Sequence, residues 1–496
     1  MNLKEKIKIL KKKNKKIGLI HGVFDVIHYG HIKYFEEAKK EVDYLIVSIT
    51  EDKYVHKGPG KPIFNTLKRS EVLKSIKDID EVIISNYPTA IENIKLVKPD
   101  YYIKGKDYKN LSDDLSKNII LEKKEVEKYN GKILFTNSEL HSSSSIINRN
   151  FDFITEEAKK FINKFIFDDL GLEFKKLINT ISEKKILIIG DPILDIIKTS
   201  IPSGKSNKNN IIATRLIGEE LNFGGTLLIL NFLSQFYKKI DFVFVGNKKD
   251  YSFIKKKLSK NVNIIHLISE NKIIKKNRYV DSYTLERFFQ SNENEELKIK
   301  KKVENKIITF LSKKITQYDQ VLFYDFGYIF SFKKMQSFLL RYNKNLVVNC
   351  QSNSYNFGYN LANKYKKSLI LSMDEAEFRL LVQDKHTEIK ILISKNISIF
   401  EGHKVAIITH GRYGSYVISK KKIHFVPSIL NQRLDTTGAG DIFLSMFAYL
   451  FLNSKFTINQ ISVISHIAAG IHSNQLGNRF NLDKKYIFSV LSSVIK

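Results

Sequence analysis

His21-Gly-Val-Phe-Asp-Val-Ile-His-Tyr-Gly-His31 follows a short apolar run, Lys16-Ile-Gly-Leu-Ile20, and precedes Ile32-Lys-Tyr-Phe-Glu-Glu-Ala-Lys-Lys40, whose apolar spacing is that of a helix. The stretch therefore sits on a strand-to-helix turn. Gly22 lets backbone approach a ligand closely, and a helix start offers N–H groups and a favourable dipole to phosphate. His28 and His31 lie three apart, so both imidazoles can face one pocket there. The pair suits nucleotidyl transfer, in which charge develops on the α-phosphate and on departing pyrophosphate while the acceptor is already an anion.

Outward from this turn, Tyr44-Leu-Ile-Val-Ser48, Glu81-Val-Ile-Ile-Ser85, Tyr101-Tyr-Ile-Lys104 and Lys132-Ile-Leu-Phe-Thr136 are apolar segments separated by helical patterns. Their alternation predicts a parallel sheet flanked by helices, an α/β domain of Rossmann type. A charge-laced helical stretch over 151–182 carries no motif and reads as a helical connector plus the first helix of the next unit. A second α/β unit then opens at Lys185-Ile-Leu-Ile-Ile-Gly-Asp-Pro-Ile-Leu-Asp195, an apolar strand ending in Gly190. The predicted organisation is 1–150, 151–182 and 183–496. Within the last, Leu434-Asp-Thr-Thr-Gly-Ala-Gly-Asp441 follows a β-like segment, 423–429, and opens an apolar helix, 442–452. Its glycines bare backbone N–H groups as an anion hole, and Asp441 can take a proton from a hydroxyl nucleophile.

The first motif, G-x-F-D-x-x-H-x-G-H, resembles the nucleotidyltransferase family that includes glycerol-phosphate cytidylyltransferase and the adenylyltransferase half of bifunctional heptose-phosphate kinase/adenylyltransferases. The resemblance covers roughly residues 15 to 149. Lys57-Gly-Pro-Gly-Lys-Pro-Ile63 with Arg69-Ser-Glu-Val-Leu73 resembles its second block, Lys104-Gly-Lys-Asp-Tyr108 its third, and Ser142-Ser-Ser-Ser-Ile-Ile147 its hydroxyl-rich helix start. By that resemblance His28 and His31 stabilise the pentavalent phosphorus. Gly22, Phe24, Lys57, Arg69, Lys104, Ser142, Ser143 and Ser144 are then the nucleotide and phosphate ligands.

Residues from about 184 to 480 resemble the ribokinase-like sugar kinases in their order of blocks, which implies a ribokinase-like α/β domain. Gly224 and Gly225 correspond to that family's sugar-binding pair, and Asp374-Glu-Ala-Glu377 to its block near magnesium and phosphate. Thr409-His-Gly-Arg-Tyr-Gly414 resembles its nucleotide loop. The resemblance makes Asp441 the catalytic base. It places Thr437, Gly438, Ala439 and Gly440 at the anion hole, and Asp374, Glu377, Thr409, Gly411 and Gly414 around the nucleotide. Asp195 is either a sugar-hydroxyl acceptor or the cap of a turn. Two stretches depart from the pattern. Thr226-Leu-Leu-Ile-Leu230 lacks the usual polar group after the glycine pair, and Asn349-Cys-Gln351 stands where heptose kinases have Asp-Pro-Lys. A site that has lost such a donor cannot bind the same hydroxyl pattern at full strength.

Composition bounds the remaining choices. A chain of 496 residues exceeds one ordinary core, and 43% hydrophobic residues suffice to build more than one. The formal charge of +30 would favour nucleic acid, but the lysines are scattered rather than gathered in an arm, so a nucleic-acid-binding protein on enzyme folds is the lesser alternative. One cysteine, Cys350, excludes an intrachain disulfide and a Cys-cluster zinc site. No apolar run reaches the roughly 18 residues that span a bilayer. The expectation is a cytoplasmic bifunctional enzyme with its nucleotidyltransferase ahead of its kinase, the opposite order from the heptose enzyme. It would use ATP or CTP with Mg2+ on a heptose-like sugar and a sugar phosphate, in a nucleotide-sugar route such as lipopolysaccharide biosynthesis. A homo-oligomer is left open. The alternative within the same chemistry is a cytidylyltransferase for a small phosphorylated alcohol, carrying a degenerate kinase domain.

Overall fold

The computed structural model describes residues 3–55, 62–105, 118–136, 154–165, 169–205, 211–296, 299–431, 434–478 and 482–495. They fall into two compact units, divided between residues 153 and 154.

The first unit is a five-stranded sheet of β1 (Ile17–Gly22), β2 (Tyr44–Thr50), β3 (Glu81–Ser85), β4 (Tyr101–Gly105) and β5 (Lys132–Thr136), ordered β3-β2-β1-β4-β5 and parallel throughout. Alternate side chains serve opposite faces, as the twofold period of a strand requires. Leu45, Val47 and Ile49 enter one core with Ile20 and Ile103, while Ile46 joins Ile17, Leu19 and Tyr102 in the other. Strand β1 pairs with both β2 and β4, so connections leave it in opposite directions. The crevice beyond the carboxyl ends of such strands is where ligands bind in doubly wound sheets. The His21–His31 stretch opens there.

In the second unit, β6 (Ile186–Gly190) turns at Asp191 into β7 (Pro192–Lys205), which leaves the main sheet. It is followed by β8 (Ile212–Gly225), β9 (Ile240–Gly246), β10 (Val262–Ile268), β11 (Ile274–Asp281), β12 (Arg287–Glu293), β13 (Gln320–Asp325), β14 (Leu346–Cys350), β15 (Ser368–Asp374), β16 (His403–Thr409), β17 (Gly414–Ser419) and β18 (Lys422–Pro427). The main sheet runs β10-β9-β6-β13-β14-β15-β16-β17-β18; β16 and β17 run antiparallel, as do β17 and β18. Ile186 and Ile188 face one core, Leu187 and Ile189 the other. A smaller sheet, β12-β11-β7-β8, stands apart from it.

From residue 154 the stretch belongs to the second unit, with two helices where the sequence reading gave that unit one. Helices Glu156–Phe165 and Leu170–Asn179 bury Ala158, Ile162, Leu170, Phe174 and Ile178 in the core of the second unit. Their charged faces are the solvated side of amphipathic helices, which hid the buried stripe. Among the described residues, no helix is long and apolar enough to cross a membrane.

Candidate active sites

In the first unit, helix Tyr29–Glu41 begins at His28, whose extended backbone makes it the N-cap. The Gly30 N–H donates to His28 Nδ1 at 3.1 Å. Because Nδ1 accepts, the neutral ring carries its proton on Nε2. The rings of His28 and His31 lie 4.0 Å apart, centroid to centroid, and Phe24 sets its edge against His31 at 5.5 Å. Phe24 holds a left-handed backbone, φ 49°, and its ring fills the space beside Gly22, where a Cβ would lie 2.9 Å from ring carbons. The motif histidines are thus brought together at a helix N-terminus. Lys57, Ser142, Ser143 and Ser144 lie outside the described residues.

Arg69 and Lys104, read from sequence as phosphate ligands, have other partners. Arg69 is 1% exposed. Its Nε donates to the Phe64 carbonyl, its Nη1 to that of Val23, and its Nη2 to that of Thr50 and to Asp52 Oδ1 at 2.6 Å. It is a buried clip holding the turn after β1 to the loop after β2. Asp25 completes the clip by accepting from the Ile63 and Phe64 N–H groups at 2.8 and 3.0 Å. Lys104 Nζ lies 3.3 Å from Glu122 Oε2, which also accepts from the Tyr102 hydroxyl. His21 bonds Ser48 and Thr50. Burial, reinforced by the Lys104 charge, pulls the His21 pKa down to about 4. Sequence reading missed Asp25, although it stands within the motif, and missed His21, whose polar neighbours come from another strand.

In the second unit, a cavity of about 600 Å³ gathers Asp374, Glu377, Thr409, Gly411, Gly414, Gly438, Ala439, Gly440 and Asp441. Helix Ala439–Asn453 starts at Gly438, whose φ of 75° favours glycine and where a Cβ would lie 2.6 Å from Leu228. Around Gly440 there is open space, so the first turn presents its N–H groups to the cavity. Thr437 fixes the turn: its N–H donates to Asp435 and its carbonyl lies 3.0 Å from His472 Nε2. Asp435, the first aspartate of the motif, also accepts from the Gly477 N–H and pairs with Arg287 on β12.

Asp441 is buried and accepts from Asn349 Nδ2 at 2.9 Å and Gln351 Nε2 at 2.6 Å. Burial pushes its carboxyl up to about 7, against the opposing effect of Gln351, Lys276 and Asn349. Asp374 and Glu377 close a capping box, each accepting the other's N–H at 2.7 Å, and Glu377 also accepts from the Ser352 N–H. Burial, then the Asp374 charge, raises Glu377 to about 8.

Asp195 is neither an open hydroxyl acceptor nor a turn cap. Arg278 Nε and Nη2 both approach its Oδ1 at 2.8 Å, and Asn478 donates to its Oδ2 at 2.7 Å. Gly224 makes room for this carboxylate, since a Cβ there would lie 2.2 Å from Asp195 Oδ2. Gly225, φ 51°, starts the helix Thr226–Leu233. Lys276 and Arg278, both on β11, bring cationic groups to this end of the site and escaped sequence reading in so lysine-rich a chain. The two amides on Asp441 were noted only as a departure from pattern.

Comparison with known proteins accords with both halves. Residues 19–150 match the family described as cytidylyltransferase-like, and residues 242–460 that described as pfkB family carbohydrate kinase. A bifunctional protein HldE of Campylobacter jejuni subsp. doylei is 41% identical over 108 residues, 21% of this chain and 23% of that protein. One from Syntrophotalea carbinolica is 28% identical over 154 residues, 30% of each. The chain thus spans less than a third of the length of these curated relatives. Among solved structures, ribokinase from Thermotoga maritima aligns with 62% of this chain and 99% of its own, at 16% identity and a TM-score of 0.48.

Proposed function

We propose, from a chain that carries a cytidylyltransferase-like domain ahead of a pfkB-family carbohydrate kinase domain, that the protein is a bifunctional enzyme of nucleotide-sugar synthesis. The kinase phosphorylates a sugar with ATP, and the nucleotidyltransferase joins a nucleotidyl group from ATP or CTP to a sugar phosphate, releasing pyrophosphate. The observation that carries the reading is the cavity in which buried Asp441 meets the open helix start at Gly438–Gly440. An acceptor hydroxyl there would lose its proton to Asp441 as its oxygen bonds the γ-phosphorus, with the equatorial oxygens held by helix N–H groups.

Lys276 on the smaller sheet favours a sugar that already bears an anionic group, since a cationic side chain near the sugar end can pair with phosphate, whereas Arg278 and Arg287 are already paired with Asp195 and Asp435. Mg2+ takes few protein ligands and reaches such sites with the triphosphate. Among the described residues no cluster of three metal-binding side chains occurs, which suits an ion carried by the nucleotide beside Asp374 and Glu377. In the first unit His28 and His31 would donate to the α-phosphate. No base is needed because the acceptor phosphate is already an anion.

The test is a screen of the full chain with ATP and CTP against sugars, sugar phosphates and small phosphorylated alcohols, following ADP and pyrophosphate separately. The expected result is ADP formation with a sugar or sugar phosphate and pyrophosphate release with a sugar 1-phosphate. Pyrophosphate release only with a phosphorylated alcohol, and ADP formation with nothing, would replace this reading.

A further inference from the structure

We propose that Asn349 and Gln351 are positioning residues for phosphoryl transfer, a pair of carboxamides that fix one oxygen of Asp441 and leave the other to face the acceptor hydroxyl. The inference rests on the kinase reading above. Both hydrogen bonds land on Asp441 Oδ1, and among the described residues none donates to Oδ2. With one oxygen doubly anchored, rotation of the carboxylate is restricted and a single oxygen remains as proton acceptor.

The donors are themselves rigid. Asn349 stands in the last pleat of β14 and Gln351 is the first residue beyond the strand, still paired to β13 through its N–H, so the two side chains leave the backbone on one side. Cys350 between them turns the other way, toward Asp325 Oδ2 and the Asn360 carbonyl. The Gln351 N–H donates to the Asp325 carbonyl at 2.9 Å, and the Gln351 carbonyl accepts from Asn360 Nδ2 at 2.9 Å. Asn349 is buried. The clamp thus stands on a central strand at Asn349 and on the tethered residue that follows it at Gln351, an arrangement that holds a reactive group in place.

Neutral donors also act on the base differently from a cation. An amide orients the carboxylate and stabilises its charge without cancelling it, whereas an ammonium in the same place would weaken the base. In the transfer, the acceptor O–H proton passes to Oδ2 as oxygen bonds the γ-phosphorus. The bond from that phosphorus to the β–γ bridging oxygen breaks, ADP departs, and Oδ2 later gives its proton to water. Other groups act on Asp441 from around it: Lys276 on β11, Asp195 on β7, Tyr324 on β13 and Glu377 in helix Glu375–Val382. Lys276 favours the carboxylate, and Asp195 and Glu377 oppose it, so the amides decide orientation where the charges partly offset.

The test compares full-length Gln351→Met, Asn349→Leu and Gln351→Lys with wild type, measuring kcat and KM for ATP and the pH profile of kcat/KM. Loss of a neutral donor destabilises the carboxylate, so the Met and Leu variants should lose about tenfold or more in kcat and move the acid limb to higher pH. Gln351→Lys keeps a donor and adds charge, so its acid limb should move to lower pH. The KM for ATP should stay within about twofold, as expected when the loss falls on the chemical step rather than on ground-state binding. A common drop in rate with an unmoved pH profile, or an effect confined to KM, would overturn the assignment. A wild-type chain that forms ADP with no acceptor would instead remove the kinase reading itself.

Discussion

Replacing Asp441 with asparagine should abolish sugar phosphorylation and, at the same time, make the second unit more stable. An amide oxygen has two acceptor sites, so the Asp441→Asn variant retains the clamp: the side-chain amides of Asn349 and Gln351 both keep a partner. What disappears is proton acceptance, worth about 10²–10⁴ in rate for a general base. The stability effect follows from linkage. The Asp441 carboxyl, ordinarily near 3.8, is held at about 7 by burial, so between these pH values the folded chain keeps a proton that the unfolded chain has lost. Each pH unit in that window therefore costs the fold about 1.36 kcal/mol, reaching about 4 kcal/mol at pH 7 and levelling above it. Asparagine stays neutral and escapes this loss. The variant should match wild type near pH 4 and exceed it increasingly up to pH 7. Asp191, raised to about 8 by burial, titrates in both proteins and cancels in the comparison, whereas Glu377, raised by burial and in part by the Asp441 charge, titrates lower in the variant and adds to the difference in the same sense. Urea unfolding followed by circular dichroism is the assay, since the chain has no tryptophan. A variant less stable than wild type at pH 7.5, or a difference that does not change with pH, would refute the reasoning.

His28→Ala and His31→Ala should each lower pyrophosphate release about a hundredfold or more, the effect of removing one preorganised donor, while ADP formation survives; normal release by a folded double variant would dismiss the first site. Arg69→Met should destabilise the first unit by about 3 kcal/mol or more, because it leaves the Val23, Thr50 and Phe64 carbonyls without their donor at a buried position. A phosphate ligand would behave differently, raising the KM for nucleotide with little change in urea midpoint. Fragments 1–153 and 154–496 should each unfold cooperatively, since the described residues of each build their own sheet and core; a molten fragment beside a compact full chain would show that the boundary cuts a shared core.

Much of the fold could be read in the sequence because its strongest signals are local. Strand, turn and helix follow one another within a short span around His28 and again around Asp441, and apolar runs such as Tyr44–Ser48 reappear in β2 with little change of boundary. Fates decided far along the chain were not legible. Arg69 and Lys104 carry long cationic side chains, and nothing nearby in sequence says that Asp52 and Glu122 will turn their heads inward. Asp195 meets its partner Arg278 on a strand 83 residues away. The smaller sheet left little trace because β8 is exposed along most of its length, so it lacks the apolar alternation by which a half-buried strand is recognised. The stretch 151–182 was only partly legible for the opposite reason: charge on one face concealed the buried stripe of Phe174 and Ile178 on the other.

The two sites use one backbone device for two different proton problems. Each sets a glycine-containing turn between a strand and a helix and offers the helix start to phosphate. In the first unit the acceptor would be a phosphate oxygen, an anion that needs no base, and the side chains supplied are histidines, one with its Nδ1 already engaged as a cap. In the second the acceptor would be a hydroxyl, and a buried carboxylate stands in the first turn of the helix. The pH dependences of the two activities should therefore separate: phosphorylation should fade as Asp441 takes up its proton near pH 7, while nucleotidyl transfer has no stake in that group. The chemistry also sets their order. On the proposed reading, kinase action creates a sugar phosphate and nucleotidyl transfer consumes one, so the hydroxyl that Asp441 would activate is the one whose phosphate would later be presented to His28 and His31.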